Sequence, residues 1–313
     1  MKNLIAFIFV IIMIIIDNDL KIDRYFNFSN KNTKIEKFVS NKENILWIFN
    51  PIEISDREWF NFGSRRHLQQ MIPIIEICND SVKFHLSKKF NIRIFNDTQL
   101  DTLIPEYVDK INLVKNRYLY YNLIKYAILY KYGGFWINND ILMINNFEIN
   151  QIDSHDIILY RMDKNNHLYL DDIIYVNRNN TIIKRVLDFI IYRLNTFQNT
   201  DIYFNSVVKY LNSILDSTVQ IFFNNICLTH DLSGKKIDYK TYLSSFNNNI
   251  SETEKYCFFP IDLKDAYKSI DYRFITNLSK QELLNSPMFL STIINYSFDK
   301  KKNLTHIGII NHY

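Results

Sequence analysis

One stretch of this chain constrains its fold more than any other: a helix pattern that stops at two adjacent glycines and resumes as a short apolar strand. Within residues 116–147, apolar side chains recur at the spacing of one helix face, namely Leu119, Leu123, Tyr126, Ala127 and Tyr130. Gly133 follows directly and supplies the left-handed residue that commonly ends a helix. Residues 135–137 (Phe-Trp-Ile) are then apolar, as in a buried strand. The stretch therefore predicts a helix, a glycine stop and a strand in that order.

Polar side chains flank this stretch in two places. On the helix, Asn122 and Lys125 lie about 60° apart and opposite the apolar stripe, so they face either a polar cleft or solvent. After the strand come Asn138, Asn139 and Asp140, at the strand end where ligands bind in open α/β sheets. In extended backbone, Asn138 and Asp140 point the same way and can reach one hard cation. Without that context, three such residues form a simple turn.

Strand and helix patterns alternate along the rest of the chain, which predicts an α/β fold. Residues 45–49 (ILWIF) and 91–95 (NIRIF) predict strands around a helix at 65–84, whose Pro73 implies a kink or a late start. Further strands are predicted at 157–160, 173–176 and 219–223, and further helices at 182–194 and 206–215. Asp171 and Asp172 precede one of these strands and are expected to be exposed.

The first 43 residues predict a membrane anchor and a stem. Residues 4–16 (LIAFIFVIIMIII) follow Lys2 and would span about 20 Å as a helix, the length of a signal-peptide core. Because no small-residue cleavage site follows, we expect an uncleaved, single-pass type II anchor and a domain in the lumen of the secretory pathway (ER/Golgi). A cleaved signal peptide with secretion, or a buried first element, are the alternatives. Residues 17–43 are polar and predict a stem, so the folded domain is expected at 44–313.

Charge and cysteine patterns exclude other classes. The net charge of +4 comes from 37 basic and 33 acidic side chains spread along the chain, so no nucleic-acid partner is expected. Cys78, Cys227 and Cys257 have neither zinc-site nor disulfide-framework spacing and are expected to be buried thiols. The abundant Asn, Ile, Lys, Tyr and Phe all have AT-rich codons, so the many aromatic residues reflect an AT-rich genome rather than a function. The pattern predicts no oligomeric state.

Residues 129–140 (LYKYGGFWINND) resemble the core of the capsular-polysaccharide-synthesis and DXD sugar-binding-motif glycosyltransferases. That family has a helix, a Tyr-Gly-Gly stop, a short strand and Asp-x-Asp in this order. Residues 45–50 (ILWIFN) and 90–97 (FNIRIFND) resemble its first two strands. The resemblance implies a GT-A-like, Rossmann-like catalytic domain that moves a hexose from a nucleotide-diphosphate sugar to a glycan or polysaccharide acceptor. It also implies Mn²⁺ or Mg²⁺ bound by the Asp-x-Asp motif, and retention at the anomeric carbon.

The motif residues depart from the family at three positions. Asp140 takes the place of the second motif Asp and is the predicted catalytic metal ligand, whereas Asn138 takes the place of the first. Asn122 falls where the family has a nucleotide-contacting Asp, and Lys125 falls where it has an Arg. An ammonium does not replace the planar, bidentate guanidinium. Three readings stay open: an active transferase with altered requirements, an inactive relative that binds sugar or a protein partner, and an unrelated α/β protein.

Five further residues are predicted to line the nucleotide cleft. Trp47, Phe49 and Asn50 come at the end of the first strand and are expected to contact the base, with a core position as the alternative for Trp47. Asn96 and Asp97 follow the second strand and either line the same cleft or form a turn.

The tail at 305–313 (THIGIINHY) brings two histidines together near the carboxyl terminus. Some GT-A enzymes supply a late histidine as an additional metal ligand. The resemblance therefore makes His306 or His312 a predicted ligand, with an ordinary surface histidine as the alternative.

Overall fold

A six-stranded mixed sheet with helices on both faces forms the centre of this protein. The computed structural model describes residues 44–51, 72–114, 117–146, 155–163, 166–196, 206–215, 220–223, 227–228, 237–244, 256–261, 275 and 278–298. All of them belong to one structural unit. The predicted anchor at 4–16 and stem at 17–43 lie outside the described residues. Among the helices that are described, none is long and apolar enough to cross a membrane.

The strands, in chain order, are β1 (Ile45–Phe49), β2 (Asn91–Phe95), β3 (Gly134–Ile137), β4 (Ile141–Met143), β5 (Ile157–Asp163), β6 (Asn166–Val176), β7 (Gln220–Phe223) and β8 (Phe258–Pro260). The helices are α1 (Ile72–Leu86), α2 (Leu100–Leu103), α3 (Val108–Leu113), α4 (Arg117–Tyr132), α5 (Thr181–Thr196), α6 (Ser206–Ile214), α7 (Tyr239–Leu243), α8 (Lys280–Asn285) and α9 (Phe289–Phe298). Short 3₁₀ turns at Asp97–Gln99 and Pro105–Tyr107 link β2 to α3.

The strand order in the main sheet is β2-β1-β3-β6-β5-β7. Strands β2, β1 and β3 run parallel, so their carboxyl ends meet at one edge. Strand β6 is antiparallel to both β3 and β5, and β7 is parallel to β5. Strands β4 and β8 form a separate antiparallel pair. The chain therefore leaves the main sheet directly after β3, which is where the predicted motif lies.

The two faces of the sheet pack against different helices. Alternate residues of β1 show this arrangement: Trp47 and Phe49 lie in one apolar cluster with α4, α5 and α6, whereas Leu46 and Ile48 lie in another with the end of α1. A third cluster joins the start of α1 to the β4–β8 pair and α9. Burial of both faces explains why β1 is apolar throughout. The predicted α/β class is confirmed, with a mixed sheet.

The predicted helix stop is confirmed at the end of α4. Gly133 has φ +66° and Gly134 has φ +100°, values that favour glycine. A Cβ on Gly133 would lie 2.6 Å from the backbone nitrogen of Arg178. The close approach of these two backbone segments therefore also requires a residue without a side chain. The indole N–H of Trp47 donates to the Gly133 carbonyl at 2.9 Å. The stop therefore ties α4 to β1 as well as to β3.

The predicted boundaries differ from the structure most clearly at β6. Of the helix predicted at 65–84, residues 65–71 lie outside the described residues, and the described part, α1, has Pro73 in its first turn. The predicted strand at 173–176 is the second half of β6, which begins at Asn166. Asp171 and Asp172 therefore lie within a strand rather than before one. Polar residues at both ends of the stretch 166–172 (NHLYLDD) hide this strand from periodicity, whereas pairing with β5 holds the stretch in the sheet.

Candidate functional site

Polar residues follow each of the three parallel strands at their shared carboxyl edge. Asn50 follows β1, Asn96 and Asp97 follow β2, and Asn138 to Asp140 follow β3. In open α/β sheets ligands bind at this edge, because the carboxyl ends of the strands direct backbone and side-chain polar groups into a common crevice. The fold thus brings the predicted positions from three separate segments to one edge.

The residues after β3 form a turn whose backbone is held from two sides. The Ile141 N–H donates to the Asn138 carbonyl at 3.2 Å, so the extended geometry that would aim Asn138 and Asp140 the same way is absent. The Asn138 N–H donates to the carbonyl of Asp172 in β6 at 2.9 Å. The carbonyl of Asp140 accepts from the N–H of Ile261, after β8, at 2.9 Å. Both sheets therefore fix the turn that carries Asp140.

The side chain of Asn138 bridges two neighbours. Its Oδ1 accepts from the Trp136 indole N–H at 2.8 Å, and its Nδ2 donates to Asp172 Oδ1 at 2.6 Å. An amide offers both the acceptor and the donor for these two bonds, whereas an ionised carboxylate has no proton to donate. The oxygen predicted to bind a metal accepts the indole proton. Asn138 therefore connects Trp136 to Asp172, and its role as a metal ligand stays a prediction.

The two carboxylates around Asn138 influence buried thiols. Burial, and then the nearby Asp140 carboxylate, raise the pKa of Cys78 well above its ordinary value. Burial, followed by Asp172 and Cys257, raises the pKa of Cys227 to about 12. All three cysteines are free; Cys78 and Cys227 are buried as predicted, whereas Cys257 is half-buried. Protonated thiols of this kind are poor metal ligands and nucleophiles.

The predicted metal ligands are Asp140, Asn138 and the two histidines of the tail. No three side chains of the His, Cys, Asp or Glu type come together as a metal-binding group anywhere in the described ranges. Asp140 and Asp172 are both half-buried. His306 and His312 lie outside the described residues, so their predicted role stays a prediction.

The polar pair on α4 is buried. Asn122 is 2% exposed and Lys125 is 5% exposed, which excludes the solvated flank. Asn122 Nδ2 donates to the Tyr118 carbonyl at 2.8 Å, whereas its Oδ1 is buried and accepts from no group among the described residues. The Lys125 ammonium lies 5.1 Å from the ring centroid of Tyr126. A buried acceptor without a donor costs about 1–3 kcal/mol, so Asn122 Oδ1 is a position where a ligand proton donor would be favourable.

The residues at the end of β1 divide into core and edge. Trp47 is fully buried with its N–H bonded to Gly133, and Phe49 is 2% exposed and packs against Tyr121 at 5.6 Å between ring centroids. Both are therefore core residues, with no surface for a base. Asn50 donates its backbone N–H to the Phe95 carbonyl at 2.8 Å, while its Oδ1 is buried and finds no donor within the described part of the chain. Of these three residues, Asn50 is the one whose side-chain oxygen has no described donor.

The residues after β2 form a capped turn. Asn96 Oδ1 accepts from the N–H of Thr98 at 3.0 Å, and the Gln99 side chain accepts from the Asn96 N–H at 3.1 Å, which is a capping box. Asp97 accepts a hydrogen bond from the Tyr120 hydroxyl. Burial, and then this bond, raise the pKa of Tyr120. The turn alternative therefore describes Asn96, and Asp97 attaches α4 to the end of β2.

Asp172 is the polar residue at this edge that the sequence did not single out as a site. It lies about 34 residues from Asn138 in sequence and meets it only through the β3–β6 pairing, in which Ile137 faces Ile173. Its one sequence signal was the pair of acidic residues at 171–172, which is far more common on surfaces. Cross-strand neighbours of this kind require the strand register to be known.

Sequence comparisons with known proteins identify no family for this chain. No protein-family model matches the chain, and no curated protein matches it. Among solved structures, the chain is similar to one described as "PaToxG Glycosyltransferase", at 14% identity and a TM-score of 0.37. The likeness covers 56% of this chain and 72% of that chain. A likeness of this size does not establish a shared function.

Proposed function

We propose that this chain is a glycosyltransferase that takes a sugar from a nucleotide-diphosphate sugar bound at the carboxyl edge of β1, β2 and β3. The observation that carries the proposal is the pair of buried amide oxygens, Asn50 Oδ1 and Asn122 Oδ1, which lack donors among the described residues. Their chain neighbours Phe49 and Tyr121 are in ring contact, so the two amides come from adjoining segments.

The chemistry of the two oxygens favours a nucleoside. Both are acceptors, so a suitable ligand presents proton donors, as the hydroxyls of a ribose and the N–H groups of a base do. The buried Lys125, one helical turn from Asn122, adds a positive charge that suits a diphosphate. The helix–glycine–strand run at 129–140, which resembles sugar-nucleotide enzymes, supports the same class of donor.

A divalent cation fits the residues present. Mg²⁺ and similar cations commonly bind through one or two carboxylates together with substrate phosphates and water, which needs no further protein ligands. We propose Asp140 as the principal ligand, since its turn is fixed by both sheets. A bound cation would supply neutralisation of the charge that develops on the leaving diphosphate. Asn50 and Asn122 would hold the nucleoside, and the turn after β3 would orient the carboxylate.

A donor-hydrolysis screen of the full chain in detergent tests the proposal. Turnover of one nucleotide sugar in a broad panel, with manganese present, is expected. Asp140→Asn should lower that turnover by at least about 10²-fold, with an unchanged circular dichroism spectrum. Asp109→Asn, which removes an exposed carboxylate from α3, is the matched control and should have no effect.

The same screen separates the alternatives. Saturable binding of a nucleotide sugar without turnover would favour the inactive relative, in which the amides at 122 and 138 have replaced catalytic charge. If no nucleotide sugar in the panel is bound or turned over, the proposed donor site is wrong, including the role of the Asn50 and Asn122 oxygens.

A further inference from the structure

We infer that Asn179 is a site of N-linked glycosylation, at the edge of the sheet opposite the proposed donor site. Residues 179–181 (Asn-Asn-Thr) form a triplet of the acceptor type Asn-x-Ser/Thr, in which x is not proline. The inference goes beyond the proposed function and does not rest on it. It requires the predicted location of the domain in the lumen of the secretory pathway, where such glycans are attached.

Exposure distinguishes this triplet from the others. An asparagine-rich chain contains the triplet by composition alone, so the sequence does not select a site. Within the described residues, four such triplets occur, and they begin at Asn79, Asn96, Asn179 and Asn295. A glycan is bulky and hydrophilic, so the asparagine that carries it has to lie at the surface of the folded protein. Asn179 and Thr181 are both exposed, whereas Asn79 is 6% exposed.

The other two triplets use their polar groups within the fold. Asn295 Nδ2, the atom that would carry a glycan, donates to the Leu284 carbonyl at 2.7 Å. The hydroxyl of the same triplet, on Ser297, is buried and donates to the Met143 carbonyl at 2.6 Å. Asn96 caps the turn after β2, so a glycan there would lie at the carboxyl edge that the donor needs.

The turn from β6 to α5 is held together without the Asn179 side chain. Asn179 has φ +59°, a left-handed conformation that asparagine tolerates better than most residues. Its backbone N–H donates to the Tyr130 carbonyl at 2.8 Å. Asn180 Oδ1 caps α5 by accepting from the N–H of Ile182 at 2.9 Å. The amide of Asn179 makes no hydrogen bond in the described part of the chain, so a glycan on Nδ2 displaces no contact there.

This turn lies away from the proposed donor site. Strand β6 runs antiparallel to β3, and Val176 at the end of β6 pairs with Gly134 at the start of β3. Asn138 and Asp140 follow the other end of β3. A glycan on Asn179 therefore extends from the amino edge of β3 and leaves the carboxyl edge open.

The modification is a group transfer from a lipid-linked oligosaccharide. A C–N bond forms between Asn179 Nδ2 and the anomeric carbon of the sugar, while the anomeric C–O bond to a lipid diphosphate breaks. One proton leaves Nδ2, and the lipid diphosphate is the leaving group. A transferase of the secretory-pathway membrane supplies the donor and the catalysis, and Thr181 supplies the hydroxyl that the triplet requires.

The test uses the full chain produced in cultured cells with a eukaryotic secretory pathway. Enzymatic removal of N-linked glycans in heavy-oxygen water converts each glycosylated asparagine into a labelled aspartate, which peptide mass spectrometry locates. We expect the label at residue 179. Asn179→Asp and Thr181→Val should each increase the gel mobility of the full chain by the loss of one glycan.

A matched control keeps the chemistry of the triplet. Thr181→Ser retains the hydroxyl and should retain the glycan, although it changes the same exposed position as Thr181→Val. Aspartate also tolerates the left-handed region, so Asn179→Asp should leave the circular dichroism spectrum unchanged.

The outcomes separate this inference from the proposed function. If other asparagines are labelled and residue 179 is not, the triplet is exposed but unused and the inference is wrong. If no asparagine is labelled, the inference and the predicted lumenal location are both wrong. Neither result bears on the donor site, which the screen of nucleotide sugars tests independently.

Discussion

Replacing Asn122 with alanine should leave the stability of the ligand-free protein nearly unchanged but weaken its ligand binding. The Asn122 side chain is almost fully buried, yet one of its two polar atoms accepts from no described group. Truncation of a buried side chain ordinarily destabilises a fold. Here it also removes an unsatisfied acceptor, so the opposing effects should nearly cancel in the ligand-free protein.

The expected magnitude follows from four contributions to the free energy of unfolding. Removing the orphan acceptor stabilises by about 1–3 kcal/mol, and alanine improves the helix by roughly 0.5 kcal/mol. Losing the bond from Asn122 Nδ2 to the Tyr118 carbonyl costs about 1 kcal/mol. The space left behind costs about 1 kcal/mol more. The net change is therefore within about 1.5 kcal/mol of zero.

The adjacent residue is a matched control. Leu123 is fully buried on the same helix turn, and Leu123→Ala should cost about 2–5 kcal/mol because an apolar cavity has no compensating gain. For a domain of this size, about 1 kcal/mol corresponds to a melting-temperature change of roughly 2 °C. The Asn122→Ala chain should thus melt several degrees above the Leu123→Ala chain, as measured by circular dichroism.

The Asn122→Ala substitution should weaken ligand binding, although it changes stability little. A nucleotide sugar at 100 times its Kd stabilises the protein by about 2.7 kcal/mol. Loss of one hydrogen bond of about 1.4 kcal/mol raises the Kd about tenfold, which lowers that stabilisation to about 1.4 kcal/mol. The thermal shift with the donor found in the screen should therefore fall by about half. Two results would refute the reasoning: Asn122→Ala destabilising as much as Leu123→Ala, or an undiminished ligand-induced shift.

Three further predictions concern the backbone stop, the thiols and the amino terminus. Gly133→Ala should cost about 3 kcal/mol in urea unfolding, because its φ is +66° and its Cβ would lie 2.6 Å from Arg178 N; an unchanged midpoint would contradict this. Burial is the main cause that raises the pKa of Cys227 to about 12 and that of Cys257 to about 11. Neither thiol should therefore react quickly with a disulfide reagent at pH 8. A rapid initial phase of thiol labelling in the folded protein would show that one of them is ionised. Unfolded thiols lose their protons near 9.0 while these two keep theirs, so the free energy of unfolding should decrease as pH rises from about 9 to about 12. Deletion of residues 1–20 should release a soluble, folded chain, and aggregation of that truncation would indicate that residues 4–16 pack inside the domain.

Local pattern alone was enough to place the elements that carry the site. The apolar run at 45–49, the alternation at 91–95 and the glycine after Tyr132 predicted β1, β2 and the end of α4 at the residues where they occur. These signals are local because a strand buried on both faces must be apolar throughout, and a left-handed residue at a helix end favours glycine. The positions Asn50, Asn122, Asn138 and Asp140 followed from those elements.

What each polar side chain does was decided by the tertiary structure. The helical wheel assigned Asn122 and Lys125 to a flank that faces either solvent or a cleft, and packing around residues 122–129 of α4 buried both side chains. Periodicity placed Asp172 before a strand, and pairing with β5 and β3 put it inside β6 against Asn138. Spacing within one segment specifies its own faces, whereas contacts between segments depend on strand order and register, which no single segment encodes.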